Sequence, residues 1–223
     1  MNRELVKTND NSTTLFVPEL NQHYHSMRGA VQESQHVFID AGLKPLLGAH
    51  DEINIFEMGL GTGLNALMTL QEAEKNQQKI NYAALEKFPL NLSEAEQLGY
   101  QTNSSPEKEN QNLMALHSCP WEKGNAMGNY FTFTKFQSDL RLFKFPSQFH
   151  LIYYDAFAPS AQPELWTEEV FAKLFEAMHP NGVLVTYCVK GDVRRAMKAV
   201  GFQVEKIPGP PGKREMARAY KLT

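Results

Sequence analysis

A carboxylate closes the apolar run His150-Leu151-Ile152-Tyr153-Tyr154 and opens the string Asp155-Ala156-Phe157-Ala158-Pro159. A residue at the carboxyl end of a buried strand stands where open α/β sheets bind their ligands. An aspartate there can orient an amine, take its proton and attract its cationic form beforehand. Phe157, and Trp166 in the following Gln162-Pro163-Glu164-Leu165-Trp166, offer planar faces on which a base can stack, while Pro159 stiffens the loop. Each residue also has a plainer reading: Asp155 as a helix cap, Phe157 and Trp166 as core.

A second chemical string lies upstream, Glu57-Met58-Gly59-Leu60-Gly61-Thr62-Gly63-Leu64, between a strand pattern and a helix pattern. Glycines there bring a ligand close to backbone. The last position of a dinucleotide fingerprint is filled by Leu64, and Glu57 would repel a pyrophosphate. A carboxylate there suits a ligand with an ammonium group and no phosphate, which describes S-adenosyl-L-methionine. Glu86, at the end of the next strand, is placed to accept both ribose hydroxyls. Ser138 and Asp139, after the strand that follows, can reach an adenine edge. Glu57, Gly59, Gly61, Gly63, Glu86, Ser138 and Asp139 are therefore the expected cofactor contacts, and Asp155 the catalytic group for an in-line methyl transfer.

These residues need a scaffold of alternating strands and helices. Strands are expected at 53–58, 80–86, 130–136, 150–155, 183–188, 202–207 and 215–222. Helices are expected over 64–68 and beyond, 89–98, 163–179 and 192–200, the third stopped by His179-Pro180-Asn181-Gly182. Residues 101–129 read as a polar connector with some local helix. The pattern gives an α/β fold: a Rossmann-like, mostly parallel, doubly wound seven-stranded sheet ending in an antiparallel hairpin. Residues 1–45 form an N-terminal extension, a hairpin and a helix, on a methyltransferase domain spanning 46–223. That extension either covers the cofactor or contacts substrate.

The chain has 223 residues, enough for one α/β core, and no apolar run resembling a signal peptide or a membrane span. A soluble cytoplasmic protein is expected, with Cys119 and Cys188 reduced. A net charge of −3 argues against coating nucleic acid by bulk electrostatics. Charge is uneven, however: residues 190–223 carry nine Lys/Arg against three acids. A basic C-terminal part fits local phosphate contact as well as an ordinary solvated face. His23, His25 and His36 lack a third ligand at zinc-like spacing, so no metal is expected.

Several strings together resemble one family: Glu33-Ser34-Gln35-His36-Val37-Phe38, Phe56-Glu57-Met58-Gly59-Leu60-Gly61-Thr62-Gly63-Leu64-Asn65, Glu86-Lys87-Phe88-Pro89-Leu90, Asp155-Ala156-Phe157-Ala158-Pro159, Pro163-Glu164-Leu165-Trp166-Thr167 and Gly212-Lys213-Arg214-Glu215-Met216. From about Leu15 to Met216 the chain is similar to the tRNA 5-methylaminomethyl-2-thiouridine methyltransferases. The resemblance implies N-methylation of the 5-aminomethyl group of the wobble uridine in the tRNA anticodon arm, with Asp155 at the key carboxylate. It implies a stand-alone form without the flavin-dependent oxidase fused to some members. Lys213 and Arg214, in a family string and in the basic tail, are expected to contact or position tRNA, together with Phe157, Pro159 and Trp166. Two other readings stay open: a methyltransferase of this fold acting on a small amine, and a silent module that binds cofactor or RNA.

Overall fold

Runs that are apolar at nearly every position belong in strands covered on both faces, and such runs build the centre of this molecule. The computed structural model describes residues 2–100, 102 and 105–222. The chain opens with a three-stranded antiparallel sheet, β1 (Glu4–Lys7), β2 (Thr13–Val17) and β3 (Gln22–His23). Helix α1 (Ala30–Ser34) then continues into a π-helical stretch, Gln35–Leu43, which buries Val37, Phe38 and Ile39. Phe38 rests against Tyr153 of the main sheet, ring centroids 5.1 Å apart.

The main sheet comprises β4 (Glu52–Met58), β5 (Lys79–Glu86), β6 (Asn125–Ala126), β7 (Phe131–Gln137), β8 (Phe149–Tyr154), β9 (Met178–Thr186), β10 (Gln203–Pro208) and β11 (Glu215–Tyr220). Its order is β10-β11-β9-β8-β4-β5-β7-β6. The five central strands, β9 to β7 in that order, pair in parallel, and β10–β11 is the antiparallel C-terminal hairpin. The eighth strand, beyond the seven expected, is the two-residue β6 at the far edge.

Helices α2 (Leu64–Asn76) and α4 (Pro106–Ser118) cover one face with the π-helical stretch, and α5 (Glu168–Glu176) and α6 (Gly191–Ala199) cover the other. The short α3 (Leu92–Glu96) lies beside α4, and a capping box between Asn91 and Glu94 starts it. Residues of β4 alternate between the two cores, Ile53 and Ile55 facing α2, Phe56 and Met58 facing α5.

Two local expectations are corrected. The polar connector contains a full 13-residue helix, α4, capped by Ser105 with Pro106 in its first turn. Its buried positions are only Glu109, Leu113 and Leu116, a stripe too narrow to stand out in a polar sequence. The string 179–182 does not end a helix, because α5 stops at Glu176 and β9 already runs through it. Asn181 there adopts φ 63° and the pairing of β9 with β8 is irregular, so the Pro-Asn-Gly signal marks a bulged strand start.

Chain order from β4 runs one way through β5 and β7, then the other way through β8 and β9. The reversal falls between β4 and β8, and ligands of such sheets bind outside the carboxyl ends of the strands at that point. Those ends are Met58-Gly59 and Tyr154-Asp155, the two strings that carry the chemistry.

Candidate active site

The loop from β4 to α2 needs its glycines for different reasons. Gly59 has φ 90°, and a Cβ there would lie 2.8 Å from the backbone oxygen of Asp155. Gly61, at φ 53°, packs under the Tyr24 ring, 2.9 Å from where a Cβ would be. Gly63 faces away from the cleft, toward His117 and Leu113 of α4, so it seats the helix rather than the ligand. Gly59→Ala is expected to cost roughly 1–2 kcal/mol from backbone conformation alone, and more as the loop is pushed off Asp155. Titration calorimetry should show S-adenosyl-L-methionine affinity reduced at least tenfold, with a lowered melting temperature.

A cleft of about 330 Å³ opens over this loop. Its floor includes Gly59, Asn65 and Asp155, its walls Glu86 and Phe157, and its roof Tyr24, His25 and Ser26 from the N-terminal segment. The Tyr24 hydroxyl accepts a hydrogen bond from Arg3 Nε at 3.0 Å, and Arg3 also grips both oxygens of Glu94 and the Phe88 carbonyl. His25 bridges Thr14 and Thr62, and burial lowers its pKa to about 4, which keeps the imidazole neutral. The N-terminal segment thus packs on the glycine loop, through Tyr24 at Gly61 and His25 at Thr62.

Beneath the cleft, Asn65 links two carboxyl groups. Its Nδ2 donates to Glu57 Oε1 at 2.9 Å and to Asp155 Oδ2 at 3.0 Å. Glu57 is fully buried behind the lining, beside the Tyr82 hydroxyl, and desolvation pushes its pKa well above the usual carboxylate range. The direct ligand contact expected of Glu57 is therefore replaced by a link through Asn65. Asp155 borders the cleft itself. Desolvation, with Glu33 nearby, raises its pKa to about 7, against the opposing pull of Asn65 and Lys213. That value lets it change protonation near neutrality, as an acid–base group must.

The remaining expected residues divide. Glu86 stands at the wall with one oxygen accepting from Gly61 N at 2.9 Å and the other from Phe88 N at 2.8 Å, and a carboxylate has lone pairs to spare for two hydroxyls. Asp139 borders the cleft and is held below the usual carboxylate range by Arg141 and Lys87. Ser138 lies outside the lining, its backbone N–H donating to the Glu86 carbonyl. Phe157 is in the cleft, edge-on to Tyr24 with centroids 5.0 Å apart. Trp166 is not: it is 6% exposed, its indole N–H donates to the Phe157 carbonyl at 2.8 Å, and it packs on Tyr154. It supports the loop as core, and the stacking role expected of it is withdrawn. Pro159 is also outside the lining. Lys213 reaches into the cleft, while Arg214 is exposed and outside the lining.

Asn65, Glu33, Tyr24 and Tyr187 also belong to the site and were not singled out from sequence. Asn65 falls on the helix turn after the glycine loop, a position that only the fold aims back at β8. S-adenosyl-L-methionine fits these residues. Asn65 lines the cleft, and its Oδ1 is a buried acceptor without a hydrogen-bond partner among the described residues, matched to a ligand that brings a donor such as an ammonium group. Two glycines admit close approach, and Glu86 is placed for a ribose. Such a ligand supplies a methyl group on a sulfonium sulfur. Among the described residues no group of three or more His, Cys, Asp or Glu could hold a metal, and no helix is long and apolar enough to cross a membrane.

Comparison with known proteins points to the same fold and cofactor. Residues 132–222 match a family model described as S-adenosyl-L-methionine-dependent methyltransferase. The chain is 31% identical over 224 residues to the tRNA 5-methylaminomethyl-2-thiouridine biosynthesis bifunctional protein MnmC of Cupriavidus metallidurans, covering 94% of this chain and 33% of that protein. It is 31% identical to the MnmC of Leptospira borgpetersenii, covering 86% of this chain and 31% of that one. The chain thus spans about a third of the length of the curated relatives it matches. MNMC2 from Aquifex aeolicus superposes with a TM-score of 0.82 at 22% identity, over 98% of this chain and 70% of that one, which supports the fold. Fold, cleft and sequence together make this chain an S-adenosyl-L-methionine-dependent, MnmC-like methyltransferase domain.

Proposed function

We propose that this domain methylates the aminomethyl nitrogen on C5 of the (2-thio)uridine at the wobble position of tRNA, giving 5-methylaminomethyl-(2-thio)uridine. The observation that carries the reading is Asp155. Its carboxyl group borders the cleft next to the glycine loop, close to half-ionised at neutral pH, and Phe157 lines the same cleft. An amine must be neutral to act as a nucleophile, and a carboxylate of that pKa can take its proton without holding it too tightly. Phe157 offers the face for the uracil ring. Glu86 and Asp139 hold ribose and adenine of the cofactor, while Lys213 in the cleft and the exposed Arg214 contact or position the tRNA. The names of the MnmC relatives support the choice of substrate, and a tRNA substrate sets the work in the cytoplasm.

The test is mass spectrometry of nucleosides from tRNA bearing 5-aminomethyluridine, incubated with the protein and S-adenosyl-L-methionine. A gain of one methyl on that nucleoside is expected. Cofactor binding without that gain would overturn the tRNA reading in favour of a small amine.

A further inference from the structure

Glu33 and Lys213 form an ion pair in the cleft, and both act on the charge of Asp155. Glu33, at the end of the roof, is fixed: its Oε2 accepts the backbone N–H of Ser26 at 2.8 Å and its side chain is 12% exposed. Its Oε1 accepts Lys213 Nζ at 2.6 Å, and the same ammonium lies 4.2 Å from the centre of the Tyr187 ring. Tyr187 is fixed too, its hydroxyl donating to the Ala156 carbonyl at 2.8 Å. Lys213 is the movable member. Its side chain is 36% exposed and comes off the turn between β10 and β11.

A carboxylate set against an aromatic face is the recognition chemistry of an alkylammonium ion. All three groups line the same cleft as Asp155. Building on the reading of the substrate as an aminomethyl compound, we infer that Glu33 and the Tyr187 face form the binding subsite for the substrate's ammonium group, and that Lys213 occupies this subsite until substrate displaces it. The internal ammonium gives a largely buried carboxylate the counter-charge it would otherwise lack before substrate arrives. When the substrate ammonium takes the place, Lys213 swings out toward solvent, where its positive charge meets an entering phosphate. The bound ammonium then loses one N–H proton to an Asp155 carboxylate oxygen, leaving a neutral nitrogen with a free lone pair.

The test is binding without methyl transfer. 5-Aminomethyluridine nucleoside is titrated into the full chain by calorimetry, with 5-hydroxymethyluridine as the neutral control and melting temperature as the check on folding. Lys213→Met is expected to tighten the amine about tenfold, a gain within the range of a desolvated ion pair with a ring face, and Lys213→Arg, which keeps the occupant, is not. Glu33→Gln in the Lys213→Met background is expected to weaken the amine by a similar factor, and neither change should move the hydroxymethyl control. Amine affinity unchanged or weakened in Lys213→Met, or an equal gain by the control, would overturn the displacement. Because no methyl moves in this titration, its failure is separate from a failure to methylate tRNA, which would overturn the substrate reading instead.

Discussion

Asp155→Asn is expected to bind S-adenosyl-L-methionine like the unmodified protein and to turn over at least ~100-fold more slowly, the usual scale for loss of an acid–base group. The substitution keeps the shape of the loop. The amide oxygen of the substituted side chain can still accept from Asn65 Nδ2, as Asp155 Oδ2 does at 3.0 Å, and the backbone N–H still donates to the Met58 carbonyl. What is lost is the negative charge and, with it, the ability to take a proton. The pH profile separates this from a positioning defect. In the unmodified enzyme kcat/KM should rise through about pH 7 as Asp155 ionises, and in the variant that limb should vanish. Near-normal turnover by Asp155→Asn would remove the residue from the mechanism.

The same carboxyl group links activity to stability, with a sign that can be checked. Its pKa is raised in the folded protein from about 3.8 to about 7, so between those values the folded state binds more proton than the unfolded one. Stability from this group is therefore greatest below the unfolded pKa and declines as pH rises toward 7, then levels off. Chemical denaturation of Asp155→Asn should have a flatter slope over that window and at pH 8 should be no less stable than the parent. The site holds a charge where burial disfavours it.

Much of this was legible because chain chemistry and strand periodicity coincide. Gly59, Glu86 and Asp155 each follow an apolar run, and the ends of such runs become the rim of the cleft whatever the detail of packing. What lay hidden depends on contacts distant in sequence. Asn65 bonds to a residue 90 positions away, and Lys213 to one 180 positions away, and no local spacing encodes either. Trp166 misled for a related reason. An aromatic near a site is read as a platform, yet its indole N–H needed a partner and found one in the loop backbone, which turned the ring inward. Gly63 shares its loop with two cleft glycines, and only the position of α4 tells it apart.

Asn65→Leu is the second large effect, and it differs from loss of Asp155 in a way that pH exposes. The side chains share branching and heavy-atom count, with leucine the bulkier, so the fold should survive with a fall in melting temperature from the added methyl volume. What goes is one amide that donates to two carboxyl groups at once, and its hydrogen bond to Asp155, once that group is ionised, is worth about 1.5–3 kcal/mol. Asn65 is one of the groups that pull the Asp155 pKa down, so without it Asp155 should titrate above 7. At pH 7 the carboxyl would be mostly protonated and kcat/KM should fall on the order of 10- to 100-fold, as the lost hydrogen-bond energy implies. Raising the pH should restore a large part of the loss, because the base is still present and only its ionisation has moved. Asp155→Asn should show no such recovery. A profile for Asn65→Leu depressed equally at every pH would mean that the amide positions a ligand rather than setting the charge on Asp155, and the buried Glu57 would then have no route to the reaction except through shape.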